Sequence, residues 1–192
     1  MSNFEVIGRP AKNEEIEIRS RAIGFTMSSD LYVGTLLQTL VASKPGSHFL
    51  ELGTGTGLSL SWMVDGMDAE STLISVDNDP GPVEIAKDYF GDDARVQLVC
   101  GDASQWMAHY NGPRFDLVFA DAWPGKYSEL DEILDLIEPG GFYVVDDLLP
   151  QPNWPEGHSE NVKRLVAYLE DRKDFVIAKL NWSTGLIIAV KR

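Results

Sequence analysis

The sequence predicts an α/β protein: a doubly wound sheet of seven strands, mostly parallel, with one antiparallel strand supplied by a C-terminal hairpin. Three observations carry this reading. Short apolar runs of strand length alternate with helix-length stretches from residue 49 to residue 145, the pattern of parallel strands joined by right-handed crossovers. The first run, Phe49-Leu50-Glu51-Leu52, breaks at Gly53, Gly55 and Gly57 and restarts as a helix. The last two runs, residues 174–181 and 186–191, are joined tightly through Ser183-Thr184-Gly185, as in a hairpin.

Taken in order, residues 1–28 are expected as an N-terminal arm with a short charged helix over 13–21, and residues 29–192 as a single domain. Gly24 breaks the first helix. Ser28 or Ser29 then caps a second, over residues 31–42, with Leu31, Leu36, Leu37 and Leu40 on its apolar face and Lys44-Pro45-Gly46 ending it. After the first strand and its glycines comes a helix over 58–64. A second buried strand, 71–77, ends in Asp77, and a helix over 82–90 leads to a third strand over 95–100. Gly101-Asp102-Ala103-Ser104 opens a helix over 105–110. The fourth strand, 115–121, ends in Asp121 and is followed by a helix over 127–137. Pro139-Gly140-Gly141 turns into a fifth strand, 142–145, which ends in Asp146-Asp147. The loop over 148–158 carries three prolines, Trp154 and His158; it is too apolar for a linker and is expected to lie over a site. A helix over 159–169 precedes the hairpin.

Composition narrows the function. A chain of 192 residues with 44% hydrophobic content builds one sizeable core. A net charge of −14, with no Lys/Arg cluster, argues against a nucleic-acid groove. Cys100 is the only cysteine, so an intrachain disulfide and a thiolate metal site are both excluded, and its apolar run makes it a core candidate. Residues 1–15 hold no apolar leader and no window approaches a membrane span, so the cytoplasm is the expected compartment.

In an open α/β sheet, ligands sit beyond the carboxyl ends of the strands. Asp77, Asp102, Asp121, Asp146 and Asp147 all fall there, so one sheet edge collects acids from four strands. The glycines let a ligand approach the backbone closely, and the following helix turns its free N–H groups toward the loop. A dinucleotide site wants G-x-G-x-x-G, but Leu58 stands where the third glycine would be. Glu51, just before the loop, suits a cationic group better than a pyrophosphate. Asp77 lies 24 positions beyond Gly53, the spacing at which a second strand delivers a carboxylate to a ribose diol, the role favoured here over capping the helix near Pro80. Asp102 could accept from an adenine amino group or cap its own helix. Asp121, Asp146 and Asp147 remain as a plausible oxygen-ligand set for Mg²⁺.

At the glycine loop the sequence resembles motif I of the class I S-adenosylmethionine-dependent methyltransferases, and the predicted sheet resembles their Rossmann-like fold. Phe115-Asp116-Leu117-Val118-Phe119-Ala120-Asp121-Ala122-Trp123-Pro124-Gly125-Lys126-Tyr127, followed by Val144-Val145-Asp146-Asp147, is similar to the cation-dependent O-methyltransferases of the catechol and caffeoyl-CoA type. The resemblance implies methyl transfer from S-adenosylmethionine to a small-molecule hydroxyl, with Mg²⁺ held by Asp121, Asp146 and Asp147, and it points to a homodimer. It implies that Met27 and Ser28 close over the cofactor, and that Glu51, Gly53, Thr54, Gly55 and Gly57 lie under its methionine part. Asp77 and Asn78 would take the ribose, Asp102, Ala103 and Ser104 would border the adenine, and Asp121 would stand beside the methyl. The family's lysine, three positions after the first metal acid, is Pro124 here, and Lys126 stands two residues further on. Lys126, Asp147, His158 and a metal-bound hydroxide all stay open as the base, and Trp123 and Trp154 are expected near the acceptor. Metal-independent transfer to oxygen or nitrogen, and a binder that keeps the cofactor pocket without chemistry, are the alternatives.

Overall fold

The computed structural model describes residues 5–27, 29–151 and 154–192. Its helices are α1 (Asn13–Ala22), α2 (Leu31–Ala42), α3 (Leu58–Gly66), α4 (Pro80–Phe90), α5 (Ala103–His109), α6 (Leu130–Asp135) and α7 (His158–Asp171). Its strands are β1 (His48–Leu52), β2 (Thr72–Asp77), β3 (Val96–Cys100), β4 (Phe115–Ala120), β5 (Ile137–Val145), β6 (Phe175–Leu180) and β7 (Leu186–Lys191). They form one sheet in the order β3-β2-β1-β4-β5-β7-β6. Only β7 runs against the rest: β1 to β5 pair in parallel, and β7 pairs antiparallel with both β5 and β6. The predicted architecture is the observed one.

Alternation along the central strands divides the core into two halves. Leu50 and Leu52 of β1, with Val118 and Ala120 of β4, face Met107 of α5, Ile133 of α6, and Leu165 and Leu169 of α7. Phe49, Leu117 and Phe119 point the other way, against Leu37 and Val41 of α2 and Leu60 and Met63 of α3. Ile16 of α1 is fully buried in this second half, so the short helix expected in the N-terminal segment contributes to the core. α2 and α3 meet closely because Gly34 leaves room for the Trp62 indole; a Cβ there would lie 2.4 Å from Nε1.

Four local expectations are corrected. Asp30 caps α2, its carboxylate accepting from the Tyr32 N–H at 2.7 Å, where a serine was expected. α6 starts three residues late, because residues 123–128 fold into a tight turn in which the Tyr127 N–H donates to the Trp123 carbonyl at 2.9 Å. β5 begins at Ile137, so the Pro139-Gly140-Gly141 segment lies within the strand rather than before it. Cys100 is exposed, since β3 is an edge strand. No helix among the described residues is long and apolar enough to cross a membrane.

Candidate active site

The strand order reverses at β1, which lies between β2 and β4, and a cleft opens beyond their carboxyl ends. The glycine loop forms its floor. Gly53 adopts φ +103°, its N–H donates to the Val76 carbonyl at 2.8 Å, and a Cβ there would lie 2.7 Å from the Asp121 carbonyl oxygen. β1 and β4 can therefore run side by side past the loop only with glycine at this position. Gly55, at φ +49°, lies under the Phe25 ring, which a Cβ would meet at 2.9 Å. The loop is tied down from two sides. Asp77 accepts from the Gly55 N–H at 2.8 Å and from the Asp79 N–H at 2.9 Å, while Ser20 of α1 donates to the Thr56 hydroxyl at 2.7 Å.

The cavity above this floor measures about 520 Å³, within the range of small-ligand and cofactor sites. One side is formed by Phe25, Thr26, Met27, Ser29 and Asp30, and the rim by Asp77, Asn78, Asp79 and Pro82. The other end holds Asp121, Lys126, Asp146, Asp147, Gln151, Trp154, Pro155, His158 and Thr184. Among the described residues, six carboxylates thus share the cavity with a single lysine.

Burial sets the charge state of this end. Asp121, with one-fifth of its side chain exposed, has its pKa raised to about 7, chiefly by burial, against the opposing pull of Lys126, whose Nζ lies 3.8 Å away. Asp146 is also raised by burial; it accepts hydrogen bonds from the Thr184 hydroxyl and the Asp147 N–H. Thr184 arrives because the segment after β5 pairs with the β6–β7 turn, Leu149 N–H donating to the Thr184 carbonyl at 2.8 Å. Asp147 takes a left-handed backbone, φ 56°, where the chain leaves the sheet. His158 opens α7 and its Nε2 shares a hydrogen bond with the Tyr127 hydroxyl at 3.1 Å. Burial first, and then Lys126, lower its pKa below 6.5, so the ring is neutral at pH 7.

Residues 50–148 match the family model described as a methyltransferase domain, more than half of the chain. The chain belongs to that family. A Mycobacterium avium protein named a candidate O-methyltransferase is 33% identical over 118 residues, covering 59% of this chain and 53% of that protein. The chain spans about half the length of the curated relatives it matches. Among solved structures, the Bacillus cereus O-methyltransferase in complex with SAH superposes with a TM-score of 0.84 at 20% identity, covering 97% of this chain and 93% of that one. The Streptomyces achromogenes O-methyltransferase TomG in complex with SAM, involved in tomaymycin synthesis, gives 0.84 at 21% identity, covering 97% and 92%. At those identities the two structures share the fold.

In this methyltransferase domain the cavity brings together Met27, Gly53, Thr54, Gly55, Asp77, Asn78, Asp121, Lys126, Asp146, Asp147 and His158 of the expected site residues. Ser28 lies outside the described residues. Five others fall away from the cavity. Glu51 is fully buried, because its place on β1 turns it with Phe49 toward α3, and the Ser59 and Ser75 hydroxyls donate to its carboxylate at 2.5 Å each. Burial raises its pKa to about 8. Gly57 serves packing: a Cβ would press on Ala86 and Phe90 of α4 at 3.2 Å. Asp102 caps α5, accepting from the Gln105 N–H at 2.8 Å, while Ala103 packs into the core and Ser104 stays off the cavity. Trp123 is 54% exposed and outside the cavity, whereas Trp154 lines it.

The residues of the expected Mg²⁺ set, Asp121, Asp146 and Asp147, all line this cavity. Among the described residues no three His, Cys, Asp or Glu side chains gather closely enough to hold a metal ion. Asp146 is committed to Thr184 and the Asp147 N–H, and the ammonium of Lys126 stands beside Asp121. Phe25, Asp30, Asp79, Gln151 and Thr184 were missed by sequence reading. Thr184 had a signal only as part of the hairpin turn, and Asp30 only as a helix-capping residue type.

Proposed function

We propose that the chain transfers a methyl group from S-adenosylmethionine to a hydroxyl of a small molecule. The observation that supports this is the joining, in one cavity at the β1–β4 edge, of a glycine loop braced by Asp77 with a half-buried acid, a buried lysine and a half-buried histidine. Gly53 and Gly55 leave space where side chains would stand, and Asp77 keeps lone pairs beyond its two backbone bonds that can accept from a diol. The acidic lining suits a cationic cofactor. When bound, that cofactor supplies a methyl group on a positively charged sulfur, ready for in-line displacement.

The chain's own residues then handle the acceptor. His158 is the base in this reading: with Nε2 donating to the Tyr127 hydroxyl, Nδ1 keeps the lone pair that takes the hydroxyl proton. Burial holds Tyr127 well above the usual phenol range, so it remains a neutral partner for the ring. Trp154, whose ring centroid lies 4.6 Å from that of His158, gives a flat apolar wall for the acceptor. An amine acceptor is the second reading, favoured by six carboxylates against one lysine in the lining.

The test is a calorimetric titration with S-adenosylhomocysteine, followed by transfer from methyl-labelled cofactor to a panel of phenols, catechols and arylamines. A saturable site and label on a hydroxyl are the expected results. No binding refutes the cofactor, binding without transfer to any acceptor refutes the enzyme, and label on amines alone selects the second reading.

A further inference from the structure

The carboxylate end of the cavity already contains a cation, and its placement is unusual for a lysine. Lys126 is only 5% exposed, although a lysine is almost never buried to that degree without a partner. Three features fix it there. Gly125 turns the chain at φ +81°, where a Cβ would lie 2.4 Å from Leu52 Cδ1. The buried Tyr143 hydroxyl donates to the Gly125 carbonyl at 2.7 Å, and the Lys126 N–H donates to the Trp123 carbonyl at 3.3 Å. The side chain then runs inward, with Nζ 3.8 Å from Asp121 Oδ1 and 5.5 Å from the Tyr127 ring centroid. Its charge acts on Asp121, Asp146 and His158, which come from three different parts of the chain.

We propose that Lys126 is the resident cation of this site: its ammonium, standing beside Asp121, supplies the positive charge there and thereby keeps a divalent ion out. This rests on the methyltransferase reading for its purpose. A fixed positive charge beside the acceptor lowers the pKa of a hydroxyl and orients it, which is the service a metal gives elsewhere. In this role Lys126 supplies charge only, and the proton of the acceptor goes to His158, the base of the proposed function. The buried lysine also balances acids that would otherwise share a poorly solvated space uncompensated.

The experiment is titration of Mn²⁺, a paramagnetic substitute for Mg²⁺, into the full chain, read by electron paramagnetic resonance. Wild type is expected to show no site or a weak one, and Lys126→Met to bind at least about tenfold more tightly, since removing the ammonium leaves Asp121 without its cation and free to take the ion, with water completing the shell. Lys126→Arg, which keeps the charge, should stay silent. A site in wild type that Lys126→Met does not tighten overturns the proposal. So does silence in both, because the lysine is then not the obstacle, and so does a site in Lys126→Arg equal to that in Lys126→Met. Lys126→Gln replaces the methionine variant if that chain does not fold, as judged by circular dichroism. S-adenosylhomocysteine affinity is measured on the same samples: its loss in wild type would count against the methyltransferase reading and leave the Mn²⁺ result standing.

Discussion

Replacing Glu51 by glutamine tests whether this acid is held neutral beneath the glycine loop. Its pKa moves from 4.5 to about 8 through burial, with Asp121 and Asp77 adding to the rise and the Ser59 and Ser75 hydroxyls opposing it. The folded state therefore keeps a proton that the unfolded chain releases. Below pH 4.5 both states are protonated and the group contributes fully; between 4.5 and 8 stability falls, and above 8 the loss is complete. At roughly 1.4 kcal/mol per pH unit over that window, the loss approaches about 5 kcal/mol. Glutamine reproduces the protonated acid, since its amide donates to one serine and accepts from the other. Urea unfolding of both chains from pH 5 to pH 8.5 should give near-equal stability at the acid end and an advantage for Glu51→Gln that grows with pH. For a chain of this size that advantage corresponds to a melting temperature higher by about 10–20 °C at pH 8.5. Parallel curves, or a variant already weaker by several kcal/mol at pH 5, would refute a neutral Glu51.

Two further outcomes probe the cavity itself. For His158, whose pKa lies below 6.5, the neutral ring is the active form, so turnover should rise with pH to a plateau with its midpoint below 6.5. Steady-state rates of His158→Gln should lack that limb and fall to a low, flat value; an unchanged profile assigns the base elsewhere. Asp77→Ala removes both the brace on the Gly55 N–H and the carboxylate facing the ligand, and should weaken S-adenosylhomocysteine binding by roughly 1–3 kcal/mol in calorimetry. Unchanged affinity would take Asp77 out of the cofactor site.

The sheet was legible because its strands are continuous apolar runs between turn signals, and because the glycines mark where β1 must pass close to the neighbouring backbone at Asp121. The acids at the strand ends were legible for a related reason: the carboxyl edge of an open sheet is fixed once its strands are known. Which way a side chain turns was harder to see. Glu51 stands two positions before Gly53, yet strand alternation sends it to the α3 side, where Ser59 and Ser75 wait. The surroundings of the expected metal set were hidden for a similar reason. Sequence spacing puts Asp121, Asp146 and Asp147 on adjacent strand ends, but Thr184 reaches Asp146 from a hairpin 38 residues away, and the turn at Gly125 directs Lys126 inward. Long-range partners of that kind leave no local pattern.

The first helix changes what counts as the working unit of this protein. The segment matching the family model begins at residue 50, downstream of α1 and α2. Yet Asn13 donates to the Ser61 hydroxyl at 2.8 Å and Ser20 to that of Thr56, so α1 acts as a strut across the start of α3. A fragment trimmed to residues 29–192 would leave a hole where Ile16 sits and would release the glycine loop on one side. The rigidity of the glycine loop is thus inherited from a stretch outside the cavity lining, and drift in that stretch can retune the cavity from outside the shared domain.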